Sequence, residues 1–212
     1  MSQRSALLKI FHRLNECYGQ QHWWPADSPF EVIVGAILTQ NTSWNNVEKA
    51  IDNLKSANAL NVQTMLNIHE KKLAKLIRPS GYFNIKSKRL KNFVSWFDEE
   101  GRFNSLNKLD DNILRERLLD VNGIGPETAD DILLYAFDRP IFVIDTYTRR
   151  LLKSMNLIDG AEPYETLRSL FESSLAADVD LFKEYHALIV RHAKEKCTQQ
   201  DTCHHCLVES PL

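Results

Sequence analysis

A predominantly helical protein is what the sequence predicts, on three observations. Apolar residues recur three and four apart along much of the chain, the spacing of one face of an α-helix. Helix-starting chemistry stands directly before some of these runs. Only 7 Gly and 7 Pro in 212 residues argue against a turn-rich sandwich, a collagen-like repeat and a disordered chain. At this length, with 43% hydrophobic residues, a core forms without disulfide or metal staples, as one domain or two small ones.

The elements follow in order. Ala6 to Tyr18 places Leu7, Ile10, Phe11 and Leu14 on one face. Ser28-Pro29-Phe30-Glu31 joins an N-cap hydroxyl, a proline at the first helical position and a glutamate at the third. It opens an apolar segment to Leu38 that would also suit a buried strand; the cap favours a buried central helix. Asn46 to Leu54 and Leu73 to Ile77 are amphipathic, and Lys86 to Phe97 aligns Leu90, Phe93, Val94 and Phe97. Ile113 to Leu119 sets Leu114 and Leu118 one turn apart. After a short turn from Val121, Ile132, Leu133, Ala136 and Phe137 form another stripe. Pro140 to Ile144 reads locally as a strand. Thr146 to Met155, Tyr164 to Leu175 and Leu181 to Ala193 complete the helices. No repeat, low-complexity tract or obvious linker interrupts them.

Charge is unevenly placed. The formal net charge of −2 speaks, at face value, against nucleic acid as a partner. Yet Lys71 to Lys91 holds eight Lys and Arg and no Asp or Glu, so with the whole chain at −2 the remainder stands at −10. Such a run is ordinarily a solvated face; the alternative is a phosphate-facing patch, with the Pro79-Ser80-Gly81-Tyr82 turn offering backbone N–H groups. No run approaches the ~18 apolar residues of a membrane helix, and the N-terminus lacks a long apolar stretch with a cleavage site. A cytoplasmic protein with no membrane partner is expected. Of four cysteines, Cys17 stands alone, whereas Cys197, Cys203 and Cys206 cluster as a metal site or its remnant would.

The most informative segment is Val121-Asn122-Gly123-Ile124-Gly125-Pro126-Glu127-Thr128-Ala129. Two glycines flank one apolar residue between two helices, so the backbone turns tightly and a ligand approaches closely. Pro126 then starts a helix whose N-terminal N–H groups suit a phosphate, while Ile124 anchors the turn. Any tight helix–helix turn could use the same residues. Asp145 follows an apolar run and precedes Thr146-Tyr147-Thr148-Arg149-Arg150; alone it reads as a helix N-cap.

Together, V-N-G-I-G-P-E-T-A and V-I-D-T-Y-T-R-R-L resemble the helix-hairpin-helix and aspartate-bearing segments of the endonuclease III (HhH-GPD) superfamily of DNA glycosylases. Gly35-Ala36-Ile37-Leu38-Thr39-Gln40-Asn41-Thr42 is similar to the family's segment after its first helices. The run from Ile77 to Leu90 resembles its basic turn, and His192-Ala193-Lys194 before Cys197 resembles the entry to its metal loop. The likeness spans roughly residues 6–206. It implies an all-α, two-lobed fold with a DNA-binding cleft between the lobes, one lobe from residues 1–25 plus 139–212 and the other from 26–138 with the hairpin. It also implies that residues 140–144 are an extended connection, not a strand.

The resemblance further implies roles. Asp145 matches the catalytic aspartate, a carboxylate that stabilises a sugar cation and orients water. Bifunctional members carry a lysine where this chain has Glu127, and a carboxylate forms no Schiff base. A monofunctional glycosylase is therefore expected, with Lys153 or another lysine as a substitute lacking positional support. Gly123, Ile124, Gly125, Thr128, Ser80, Gly81, Lys86, Lys88 and Arg89 are the expected DNA-binding residues, and Gln40 matches the wedge that fills the gap left by a flipped base.

Trp23-Trp24-Pro25 and Trp44 are read either as ordinary core or as an aromatic slot for an extruded base. With R-P-S-G-Y-F-N and Glu127, they look most like the bacterial 3-methyladenine DNA glycosylase III branch, although a relative there has Phe where Trp44 stands. The expected activity is hydrolytic excision of alkylated purines from damaged double-stranded DNA, by a monomer. The alternatives are an enzyme for oxidised pyrimidines or mismatched bases, a non-catalytic hairpin module and, more remotely, an all-α small-molecule protein. The chemistry itself requires no cofactor. Most members hold a [4Fe–4S] cluster with C-x6-C-x2-C-x5-C; here the spacing is C-x5-C-x2-C and the fourth position falls on Leu212. A degenerate remnant is expected, with a cluster or zinc completed by His204, His205 or Cys17 left open, as is a monovalent cation at the hairpin.

Overall fold

The computed structural model describes residues 3–196. They form twelve α-helices and one 3-10 turn, with no strand among the described residues. None of these helices is long and apolar enough to cross a membrane. The described residues cluster into two compact units: Ala26–Phe137, and the flanking residues up to Pro25 and from Asp138 onward. The sequence division put residue 138 with the hairpin lobe. Asp138 clusters instead with the flanking unit, where its carboxylate pairs with Lys183.

In the unit Ala26–Phe137, α2 (Pro29–Leu38) and α9 (Pro126–Ala136) are the buried centre, and they pack on each other. Ser28 starts α2: its hydroxyl accepts from Glu31 N–H at 3.2 Å, and Pro29 occupies the first helical position. Every residue from Phe30 to Leu38 is buried, so α2 is apolar on all sides. Glu31 is the exception in chemistry, held by Lys55 at 2.7 Å and by Asp27 N–H at 3.1 Å. Around this pair lie α3 (Trp44–Ser56), α4 (Val62–Asn67), α5 (Glu70–Leu76), the 3-10 turn Arg78–Ser80, α6 (Phe83–Glu99), α7 (Arg102–Leu106) and α8 (Asp111–Leu119). The α6 stripe forms as the periodicity predicts. Phe93 stacks on Phe97, which also meets Phe30 and Phe103.

Helices α8 and α9 enclose the hairpin, and one buried ion pair joins them. Arg115 of α8 donates to Asp130 of α9 through Nε (2.6 Å to Oδ1) and Nη2 (3.2 Å to Oδ2). Arg115 is 9% and Asp130 0% exposed. A bidentate fork of this kind fixes both distance and rotation of the two helices.

The other unit contains α1 (Gln3–Tyr18), α10 (Thr146–Ser154), α11 (Tyr164–Ser174) and α12 (Val179–Lys196). Its core gathers Leu7, Ile10 and Leu14 of α1 with Phe171, Phe182 and Tyr185. Residues 140–144 form no strand. Ile141 to Ile144 are buried in succession, which looks like a core strand in the sequence, but side chains replace the ladder. Phe142 N–H donates to Glu172 at 3.0 Å and Ile144 N–H to the Tyr164 hydroxyl at 3.3 Å. Phe142 then stacks on Phe171 with centroids 3.8 Å apart. This packing delivers the chain to the start of α10.

Replacing Arg115 by Met removes the bidentate fork from the buried Asp130 carboxylate. The Arg115→Met variant is expected to lose about 3–5 kcal/mol of stability. A lower urea midpoint at constant m-value reads this loss. Arg115→Met with Asp130→Leu should recover much of it, because the buried carboxylate is removed together with its guanidinium.

Candidate functional site

The hairpin is held from inside. Val121 and Ile124 are each 6% exposed, and Ile124 N–H donates to Val121 O at 3.0 Å. Gly123 has φ +102, and a Cβ there would run into the side chain of Arg89. Gly125 differs: it is extended at φ −98, and a Cβ on it would meet nothing within 4 Å. The glycine at 125 is therefore not demanded by the protein itself, and the space outside it is open. Pro126 and Glu127 are exposed beyond it.

Gln40, half-buried just after α2, is tied to this turn. Its Nε2 donates to Gly123 O at 3.1 Å and to Thr128 Oγ1 at 2.9 Å, while its Oε1 accepts from the Arg89 guanidinium. Gln40, Arg89, Gly123 and Thr128 thus form one network. Thr128 is 5% exposed, and its hydroxyl oxygen accepts from Gln40 Nε2. A cavity of about 230 Å³ adjoins the network, lined by Gln40, Asn41, Tyr82, Ile85, Lys86 and Arg89. The sequence reading named Tyr82 only as the end of a phosphate-facing turn and did not single out Ile85; the two stand 65% and 52% exposed. Their signal was faint: two large apolar residues inside a basic run.

The basic stretch is only partly a surface. Lys86 is 1% exposed, and its ammonium donates to Leu38 O (2.8 Å) and Ser80 O (2.6 Å). Burial pushes its pKa down to about 8, with the charge of Arg89 adding to the effect. Lys86 caps the carbonyl end of α2 and is corrected from phosphate contact to internal brace. Ser80 is likewise 0% exposed, with its hydroxyl on Ile77 O. The N–H groups of Ser80 and Gly81 are already spent within the 3-10 turn, on Ile77 O and Arg78 O, so this turn does not offer them to a phosphate. Lys91 donates to Leu66 O at 2.8 Å. Lys71, Lys72, Lys75, Arg78 and Lys88 remain exposed.

Asp145 lies in the flanking unit, at the N-cap of α10. Its Oδ1 accepts from Thr148 N–H at 2.7 Å. Its Oδ2 lies 3.7 Å from Nε2 of His186, a residue of α12 that nothing in the sequence singled out. The Asp145 side chain is 12% exposed. Burial pushes the carboxyl pKa up, but His186 and the Thr148 N–H pull it down by more, leaving it below the usual carboxylate range. The result is an ionised carboxylate, mostly shielded from water, with one edge still accessible.

Trp23 and Trp24 are half-buried and pack on each other with centroids 5.4 Å apart; Pro25 is exposed. The Lys194 ammonium lies 5.8 Å from the Trp23 ring centre. Trp44 is half-buried at the first position of α3, in the hairpin unit. Glu127 is exposed at the second position of α9, where an acid also suits the helix dipole. Cys197, Cys203 and Cys206, with His204, His205 and Leu212, lie outside the described residues. Among the described residues, no group of three His, Cys, Asp or Glu is placed to hold a metal ion.

Comparison with known proteins identifies the ensemble. The family model described as "HhH-GPD superfamily base excision DNA repair protein" matches residues 34–177. A Methanocaldococcus jannaschii protein, provisionally named a DNA repair glycosylase, is 47% identical over 206 residues, covering 96% of this chain and 94% of that one. Endonuclease III of Sulfolobus acidocaldarius is 26% identical, over 84% of this chain and 79% of its own. The crystal structure of H. pylori 3-methyladenine DNA glycosylase, bound to 1,N6-ethenoadenine, superposes with a TM-score of 0.77 at 30% identity. That superposition covers 92% of this chain and 99% of that one. The chain belongs to the HhH-GPD superfamily of base excision DNA repair proteins, as a DNA glycosylase of that family.

Proposed function

We propose that this protein is a monofunctional DNA N-glycosylase that removes alkylated purines, such as 3-methyladenine, from double-stranded DNA. The observation that carries the reading is Asp145, an ionised carboxylate kept mostly from water at the head of α10. In the proposed reaction the bond between sugar C1′ and the base nitrogen breaks, and its electron pair leaves with the base. An alkylated purine carries positive charge, so it departs neutral and needs little acid assistance. The sugar becomes an oxocarbenium ion, which the Asp145 carboxylate stabilises. Water adds to C1′, and Asp145 takes its proton. The step as written uses a carboxylate and water alone.

Two further features support this reading. Glu127 stands at the position of the lyase lysine and offers no amine for a covalent step. The Trp23–Trp24 pair supplies half-exposed aromatic faces, and a cationic base stacked on such a face gains a cation–π attraction. The H. pylori relative is named for 3-methyladenine and was solved with an ethenoadenine, which agrees with a purine substrate. A second reading, an enzyme for oxidised pyrimidines or mismatched bases, draws on the Sulfolobus endonuclease III. A non-catalytic DNA-binding module needs Asp145 only as the N-cap of α10, which the Thr148 N–H bond already explains. The open space outside Gly125 suits a DNA phosphate on backbone N–H groups.

A panel of lesion-bearing duplexes, scored separately for free base and strand cutting, tests the activity. We expect methylated purines to be released without strand cleavage and without a borohydride-trapped adduct. Release of thymine glycol or mismatched thymine instead would overturn the alkylation reading, and efficient trapping the monofunctional one. Asp145→Asn should lower base release by about a hundredfold or more while retaining DNA binding. Gly125→Ala should keep the wild-type melting temperature but bind duplex roughly tenfold more weakly in fluorescence anisotropy. Gly123→Ala, by contrast, should cost about 1–3 kcal/mol of stability, from a positive φ and the collision with Arg89.

A further inference from the structure

We propose, resting on the glycosylase reading above, that His186 of α12 is a positioning residue for base excision: its Nε2–H fixes the orientation of the Asp145 carboxylate. Two helices meet at this carboxylate. The first turn of α10 supplies the Thr148 N–H, 2.7 Å from Oδ1. Helix α12 packs on α10 and brings His186 Nε2 to 3.7 Å from Oδ2.

His186 is out of character with its stripe. Phe182, Tyr185, His186 and Ile189 follow the three- and four-residue spacing of one helix face, and all four are buried. An imidazole there carries a desolvation cost that an apolar side chain avoids, so packing alone does not call for it. The N-cap of α10 does not call for it either, because the Thr148 N–H completes that cap from within α10. The second carboxylate oxygen is what His186 reaches. With Oδ1 tied and Oδ2 loose, the carboxylate plane still turns about the Cβ–Cγ bond, a torsion with a broad well. A second donor at Oδ2 restricts that turn.

The distance suits the task. At 3.7 Å the contact is an electrostatic attraction rather than a full hydrogen bond. It orients Oδ2 without consuming the lone pairs that the sugar cation and the attacking water need in the proposed reaction. The sign requires hydrogen on Nε2. An imidazolium or the Nε2–H tautomer attracts the carboxylate, whereas a bare Nε2 lone pair repels it. The balance at Asp145 agrees with attraction: burial pushes its pKa up, and His186, ahead of Thr148, draws it below the usual carboxylate range.

The test uses the whole protein and two readouts: single-turnover release of methylated purine from a methylated duplex, and binding of a duplex carrying a tetrahydrofuran abasic analogue. His186→Phe keeps a ring in the buried stripe and removes the donor. It should slow base release about tenfold or more while duplex affinity stays at the wild-type value. His186→Gln, whose amide keeps an N–H, should restore most of the rate. In an Asp145→Asn background, adding His186→Phe should change the residual rate little, because His186 acts through the carboxylate. Should His186→Phe fail to fold, His186→Met, flexible enough to fill the same space, takes its place. Slowing that is equal in both backgrounds, no recovery with Gln, or a parallel loss of affinity marks a purely structural histidine and overturns the proposal. If wild type releases methylated purine and His186→Phe matches it, the role of His186 alone fails; if wild type releases no base from any lesion duplex, the glycosylase reading fails and this proposal with it.

Discussion

The buried pair between Arg115 and Asp130 is the constraint on which the hairpin depends. A turn of Gly123, Ile124 and Gly125 packs the one side chain of Ile124, so much of its shape also comes from the helices it joins. Arg115 fixes α8 against α9 with two charge-assisted hydrogen bonds at almost no exposure. Arg89 and Gln40 complete the brace from the other side, through Gly123 O and Thr128. Under the proposed function such a loop would hold phosphate with backbone groups, and any ordering at the moment of binding would subtract from affinity.

The same logic redistributes the charge of the molecule. Lys86 lies under the end of α2, Lys91 on Leu66 O, Arg115 within an ion pair and Arg89 on Gln40. These cations enter the formal sum but serve the architecture. The net charge of −2 is therefore a poor guide to what reaches the surface, in either direction. Asp145 shows the complementary economy: the bond from Thr148 N–H that starts α10 also helps to keep the carboxylate ionised. Capping and catalysis are one interaction in the proposed mechanism.

Some of this was legible in the sequence and some was not, for physical reasons. The cap Ser28-Pro29 and the stripes of α6 and α9 act locally, so spacing alone identified them. Residues 140–144 misled a local reading because burial on all sides erases alternation, while Glu172 and Tyr164, 30 and 20 residues away, satisfy the backbone. Lys86 was invisible as a brace: nothing within its run announces that Leu38 O, 48 residues earlier, will meet its ammonium. His186 belonged to an ordinary amphipathic helix, and only the fold brings it beside Asp145. The family resemblance singled out Asp145 and Glu127 because its motifs are contiguous; Asp145 is held locally by Thr148 N–H, whereas His186 reaches it from α12.

Selectivity for a damaged base then has a simple physical basis under the proposed function. Alkylation makes a purine cationic and weakens its hold on the sugar, so the reaction asks for stabilisation of the sugar cation more than for a strong acid. Asp145 supplies a negative charge in a site where water screens it little. An unmodified purine gains neither the cation–π attraction of an aromatic face nor an easy departure, and the carboxylate alone does not compensate. Discrimination accordingly lies in how the base leaves rather than in how many groups bind it. That is why a polar, densely hydrogen-bonded pocket is unnecessary, and why half-exposed tryptophans paired with one desolvated aspartate are sufficient chemistry for the task.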